Sequence, residues 1–278
     1  MTPLLLALAL QVGPAPAASV PAAPVPASTP QTQVAATVDP RLGECLELAA
    51  TDPVTAVVRA NEWIAGNGGV PAQQCLGLAE AGSERWDRAE AAFAKAAMLA
   101  GELGRPDTGN LWMQAGNAAL ADGQGGAALS HFDRAIATGQ LAGKALGEVQ
   151  LDRARALVAA GRADEAATAL ARATELVPQD PLAWLLTATL ARRMDDLTKA
   201  ASAIETAEAL APEEPAVLLE SGNIAALKGD MAMAKAKWQK VAALAPGTAQ
   251  AKVAIAQLAT LAAADEPAQA PVTPPVGS

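Results

Sequence analysis

The 278-residue chain carries 29 acidic against 20 basic side chains, a formal charge of −9, with 51% apolar but only 3% aromatic residues. Its basic residues are scattered and form no run of five or more, which argues against nucleic-acid binding and reads as a solvated acidic surface. One histidine and two cysteines 30 positions apart (75 − 45 = 30) make no tetrahedral metal set, and no glycine-rich phosphate loop is present, so neither metal nor cofactor is expected.

Residues 1–38 contain no Lys, Arg, Asp or Glu, Leu4 to Leu10 is apolar, and Ala15-Pro16-Ala17 is a small-residue cleavage pattern. This predicts a signal peptide over residues 1–17 and an exported, periplasmic protein, or a cytoplasmic one where the segment does not work as a signal. No basic residue stands near Met1, so either the true start lies upstream or the signal is unusual. The segment is too short to span a bilayer, and no transmembrane span is expected elsewhere, because charges interrupt the Ala-rich stretches. Residues 18–38 mix Pro, Ala, Ser, Thr and Gln and read as a disordered linker; the same composition over 264–278 reads as a disordered tail.

Folded structure is expected from Asp39 to Ala263. Pro40 to Ala50 and Pro53 to Ala65 show helical apolar spacing and form a degenerate pair over 39–69. Downstream, three columns recur every 34 residues: Pro178, Pro212 and Pro246; Ala166, Ala200 and Ala234; Leu170, Ile204 and Trp238. A shared period of this length marks stacked units that bury apolar faces against one another. In the unit from Pro181 to Glu214, Leu182, Trp184, Leu185, Ala188 and Ala191 define one helix, and Leu197, Ala200, Ala201, Ile204, Ala207 and Leu210 define a second after Asp195-Asp196. Gly123, Gly161 and Gly229 take matching places in the turns, where a helix end needs a left-handed residue. Thr248 is placed to cap a last helix over 249–263, with Val253, Ile255, Leu258 and Leu261 on its apolar face and Gln250, Lys252, Gln257 and Thr260 in water.

These columns resemble the tetratricopeptide repeat, with its aromatic, Leu-Gly pair, Ala, Phe-like residue, second Ala and closing Pro. The unit 181–214 supplies Trp184, Ala188, Ala200, Ile204, Ala207 and Pro212, and 215–248 supplies Gly222, Ala234, Trp238 and Pro246. The unit 147–180 supplies Ala154, Ala166, Leu170, Ala173 and Pro178, but has Arg153 where an apolar residue is expected. Upstream, 109–142 fits with Trp112, Gly116, Ala128, Phe132 and Ala135, and 70–103 with Leu76, Gly77, Trp86, Ala89, Phe93 and Ala96. Extra residues at Gly104 to Thr108 and Gly143 to Leu146 break the period and predict kinks. The resemblance implies an all-α, right-handed superhelix of antiparallel helix pairs.

It also implies a concave groove lined by the first helix of each unit, which holds segments of partner proteins. Carried over by column, the candidate partner-binding residues are Met113, Asn117, Leu151, Arg155, Leu185, Arg192, Arg193, Leu219 and Asn223, with Val158 and Thr189 in flanking places. Leu151, Leu185 and Leu219 form an apolar floor, and the arginines favour an acidic segment; their alternative is pairing with acids such as Glu148, Asp195 and Glu220. Met113 and Leu219 replace the lysines of chaperone-binding members, so a clamp for chaperone tails is not implied. Trp86, Trp112, Trp184 and Trp238 fall on packed positions. His131 is placed outward in solvent, and with no Cys or Ser nucleophile beside it no catalytic machinery is visible. Cys45 and Cys75 lie on neighbouring first helices, where a disulfide and two buried thiols are both open and two thiols are preferred. The expected function is a non-enzymatic interaction scaffold of the cell envelope. A carrier for a small envelope ligand (a glycan fragment or lipid) and a subunit of a larger envelope assembly are the alternatives, and oligomeric state is open.

Overall fold

Aspartate and proline set where several helices begin. At Asp39-Pro40, Asp52-Pro53 and Asp180-Pro181, proline takes the first helical turn, where its missing N–H is harmless, and the aspartate accepts a backbone N–H at 2.9–3.1 Å. Asp196 and Asp230 cap second helices in the same way, and Thr248 caps the last one through Ala251 N–H at 3.2 Å. Each turn between the two helices of a unit needs one residue at positive φ. Gly123, Gly161 and Gly229 supply it in three units, and Glu84 (φ 57) and Asp195 (φ 63) supply it in the other two.

The computed structural model describes residues 39–265; the expected signal peptide, the linker and nearly all of the tail lie outside the described residues. Over those residues the chain is an all-α helical-repeat solenoid without strands. The N-terminal pair is α1 (Pro40–Thr51) and α2 (Pro53–Ala65). Five further pairs follow: α3 (Gly69–Gly82) with α4 (Trp86–Glu102), α5 (Thr108–Ala121) with α6 (Gly125–Ala137), α7 (Gly143–Ala159) with α8 (Ala163–Leu176), α9 (Pro181–Arg193) with α10 (Leu197–Leu210), and α11 (Pro215–Leu227) with α12 (Met231–Leu244). A final helix, α13 (Ala249–Asp265), packs on α12 and α11.

Small residues hold the pairs together. Ala89, Ala128, Ala166, Ala200 and Ala234 occupy one column and are fully buried, as are Ala96, Ala135, Ala173 and Ala207 in a second, where the last unit has Val241. One core cluster runs from Val70 to Leu190, and further clusters continue it through α9 to α13. Neighbouring first helices touch at α5 with α7, α9 with α11 and α11 with α13, whereas no two second helices make comparable contact among the described residues. The first helices therefore form the inner side of the stack.

Four sequence expectations are corrected. Gly143 to Leu146 does not interrupt the stack, because it forms the first turn of the 17-residue α7. Arg153 stays near the surface, its Nε donating to Asp133 on α6 at 2.7 Å, so it does not disturb the junction. On α13 the core side is Ala251 and Ala254 with Leu258, while Val253 and Ile255 are exposed. His131 is buried rather than solvated: its ring stacks on Trp112 (centroids 5.4 Å apart) and its Nε2 shares a 2.8 Å hydrogen bond with Glu90. Of the four tryptophans expected in the core, Trp112 and Trp238 are buried and Trp86 and Trp184 half-buried.

Cys45 on α1 and Cys75 on α3 form a disulfide with Cα atoms 5.8 Å apart, in place of the preferred pair of thiols. The bond matters because α1 and α2 bury few large side chains; their clusters consist of Cys45, Ala49, Ala56 and Ala60 against Cys75 and Ala79. Closing a loop of about 30 residues contributes about 3–4 kcal/mol in the chain-entropy account. Alkylation without reductant should accordingly leave both cysteines unmodified in the native protein, as read by mass. Cys45→Ser should make residues 40–65 sensitive to protease while the rest of the chain resists, and uniform resistance would show that the bond is not what holds the N-terminal pair.

Candidate functional site

The inner face is built from outward-pointing residues of the first helices, and the structure divides the expected groove residues into three groups. Arg155 and Val158 from α7 meet Thr189 and Arg193 from α9 around one cleft of about 220 Å³. Ala154, Leu170, Leu186 and Leu190 supply its apolar wall. The cleft opens where α7 and α9 pack less closely on each other than α5 on α7 or α9 on α11. Both arginines are exposed at its rim. Arg155 Nη1 donates to Asp152 at 3.0 Å, and burial raises the Asp152 carboxyl above the usual carboxylate range in spite of that contact. Arg193, in the last turn of α9, has no carboxylate within 4.0 Å among the described residues.

A second group is committed to internal bonds. Arg192 forks onto Glu220 of α11, Nε to Oε1 at 2.6 Å and Nη2 to Oε2 at 3.2 Å. Glu220 Oε2 also accepts from Asn223 Nδ2 at 3.4 Å, and Asn223 Oδ1 accepts the indole N–H of Trp238 at 3.2 Å. The expected ligand-facing roles of Arg192 and Asn223 are therefore replaced by a chain that ties α9 to α11 and α11 to α12. The third group belongs to helix packing. Leu151 is buried, and Leu185, Leu219 and Met113 are half-buried against the cores, so no continuous leucine floor is presented. Asn117 is exposed on α5, away from the cleft. Leu186 and Leu190 were not foreseen as site residues; the one signal for them is their place one helical turn apart beside Thr189 and Arg193.

A second cavity, of about 430 Å³, lies in the N-terminal pair between Arg41, Glu44, Arg59, Glu62, Trp63 and the disulfide. The Arg41 guanidinium sits 4.5 Å from the centre of the Trp63 ring, so the aromatic face that a sugar would stack on is occupied. Among the described residues no three His, Cys, Asp or Glu side chains gather in a ligand set, and no helix is long and apolar enough to cross a membrane.

Helix pairs with this packing and these columns define a class. Residues 151–215 and 185–250 match the model of the tetratricopeptide repeat, so the C-terminal units carry repeats of that family. No curated protein matches it in sequence. Among solved structures it is similar to the APC/C hetero-tetramer Cut9–Hcn1 (TM-score 0.61, 15% identity, 82% of this chain), of which it spans only 44%. It is also similar to PilW, a widely conserved type IV pilus biogenesis factor (TM-score 0.64, 16% identity, 78% of this chain and 100% of that one). A third is YrrB, a repeat protein with an unusual peptide-binding site (TM-score 0.50, 19% identity, 77% and 97%). At these identities the likeness establishes the fold.

The internal fork separates two adjacent arginines by consequence. Arg192→Ala leaves the Glu220 carboxylate buried without its cation, and should cost about 2–3 kcal/mol, somewhat less than for a fully buried pair because Arg192 keeps 24% side-chain exposure. Arg193→Ala should change stability by less than about 0.5 kcal/mol, as for an ordinary surface site. Denaturant unfolding of the two variants tests this, and equal stabilities would show that the fork is not structural.

Proposed function

We propose that the protein is a non-enzymatic interaction scaffold that holds a segment of a partner protein across its inner face, with the α7–α9 cleft as the specificity point. The observation that carries this reading is the cleft itself, an apolar recess sized for one or two side chains with Arg155 and Arg193 at its rim. An extended segment fits it with an apolar side chain inserted and acidic side chains on either side, since arginine donates two parallel N–H bonds to a carboxylate. The contrast with the overall charge of −9 makes such a basic rim selective, because the surrounding surface repels acidic chains that do not reach it. The peptide-binding site of the similarly folded YrrB supports the reading at the level of the fold.

We also place the scaffold outside the cytoplasm, in the envelope. The Cys45–Cys75 bond supports this, because such bonds persist in oxidising compartments, and the apolar, uncharged residues 1–17 are of the kind that direct export. The small-ligand carrier is the less favoured alternative, since no free aromatic face is offered in the N-terminal cavity.

Binding of fluorescent peptides with a Leu or Ile flanked by Asp or Glu, followed by anisotropy, tests the site. Arg155→Glu with Arg193→Glu should weaken binding by at least about a hundredfold, one factor of ten or more per charge-assisted contact, with native helix content retained. Raising the salt should weaken binding of the native protein in parallel. Undiminished binding by the double variant at low salt would place the partner elsewhere.

A further inference from the structure

The two ends of the helix stack are oppositely charged. Over residues 39–65, α1 and α2 with their capping aspartates, Asp39, Glu44, Glu47, Asp52 and Glu62 stand against Arg41 and Arg59, a net of −3 (2 − 5). Over residues 230–265, which take in α12 with its capping Asp230 and α13, four lysines stand against Asp230 and Asp265, a net of +2 (4 − 2) in a chain of −9. Lys237 is paired with Glu208 at 2.7 Å and Lys240 donates to the Pro212 carbonyl, whereas Lys235 and Lys252 have no carboxylate within 4.0 Å among the described residues.

Each end also shows a helix face that no other described residue covers. In a repeat stack the interior pairs are covered on both sides, and the terminal helices on one side only. α13 turns Ala251 and Ala254 inward, which leaves Lys252, Val253, Ala256 and Ala259 exposed on the opposite side. A solvated terminal face is ordinarily polar, yet Val253 on it is 45% exposed. α1 turns Cys45 and Ala49 inward and leaves Gly43, Glu44, Leu46, Glu47 and Ala50 outside, with open space beyond Gly43. One face is small, apolar and basic; the other is small, partly apolar and acidic.

We propose that these faces are the two halves of one contact, α13 of one molecule receiving α1 of a second copy, so that the protein associates head to tail through Glu44 and Glu47 against Lys252. Small residues on both faces let the helices approach closely, and the opposite charges fix which end meets which. The contact is heterologous: each molecule keeps one free acidic and one free basic end, and association extends rather than stopping at a symmetric dimer. This arrangement is independent of the α7–α9 cleft, which stays open in every copy.

Sedimentation equilibrium of the full chain over a range of concentrations tests the contact with two variants. Glu44→Lys/Glu47→Lys makes both ends basic, and Lys252→Glu/Val253→Glu makes both ends acidic; all four positions are exposed, so both variants should keep native helix content. The native protein should exceed its monomer mass of 27.9 kDa increasingly with concentration and return toward it in high salt. Each variant alone should associate at least about tenfold more weakly, and an equal mixture of the two should regain the larger species. A native protein that stays at 27.9 kDa at every concentration in low salt, or variants that associate like the native chain, or a mixture that fails to recover, would each overturn the proposal.

Discussion

The stack depends on one contact repeated five times, between the eighth residue of each repeat unit, on its first helix, and the residue 16 positions later on its second. Where the later residue is aromatic the earlier one is glycine: Gly77 with Phe93, Gly116 with Phe132, Gly222 with Trp238. Where it is aliphatic the earlier one is alanine: Ala154 with Leu170, Ala188 with Ile204. A Cβ on any of the three glycines would lie closer than 3.0 Å to the facing ring. The ring lies against the bare backbone of the first helix, and the smaller partner leaves room for one methyl group. Glycine inside a helix costs roughly 0.5–1 kcal/mol, so its use at these positions reflects what the ring's burial contributes in return.

That contact sets the distance between the two helices of a pair, and the buried alanine columns do the same for successive pairs. The recess lies where that packing is looser. Between α7 and α9 the first helices pack less closely and a recess opens, walled by the same Leu170 and Ala154 that form the fourth pair's contact. The residues around the recess are anchored from outside it, since the fork from Arg192 to Glu220 holds α9 against α11 while Arg193, one residue on, stays at the rim. Adjacent arginines on one helix thus have separate surroundings, one in an internal ion pair and one at the recess, because a helix turns neighbouring side chains to different sides.

The fold was legible because a 34-residue period, the proline starts and the left-handed turn column are each fixed by backbone chemistry that does not depend on distant residues. Side-chain direction was much less legible. His131 sits beside Phe132, and which of two adjacent residues turns inward depends on Glu90 and Trp112, 41 and 19 positions away (131 − 90, 131 − 112). Arg192 and Asn223 have the right column for a groove, but Glu220 and Trp238 take up their polar groups, and Glu220 was visible only as one of several pairing acids. The disulfide was undecidable from a spacing of 30 residues, since bonding needs Cα atoms within about 7 Å and a period alone does not give that distance.

The central claim, that ring size on the second helix dictates glycine or alanine on the first, is tested most directly by a double-mutant cycle at Gly116 and Phe132. Gly116→Ala alone should cost about 1–3 kcal/mol by overpacking, and Phe132→Leu alone a comparable amount through the space it leaves. Combined, the two recreate the Ala-with-Leu pair that Ala154 and Leu170 already form, so the double variant should be at least about 1 kcal/mol more stable than the sum of the single losses predicts. Losses that add to within about 0.5 kcal/mol would contradict the account, because they would mean that the two positions are chosen independently.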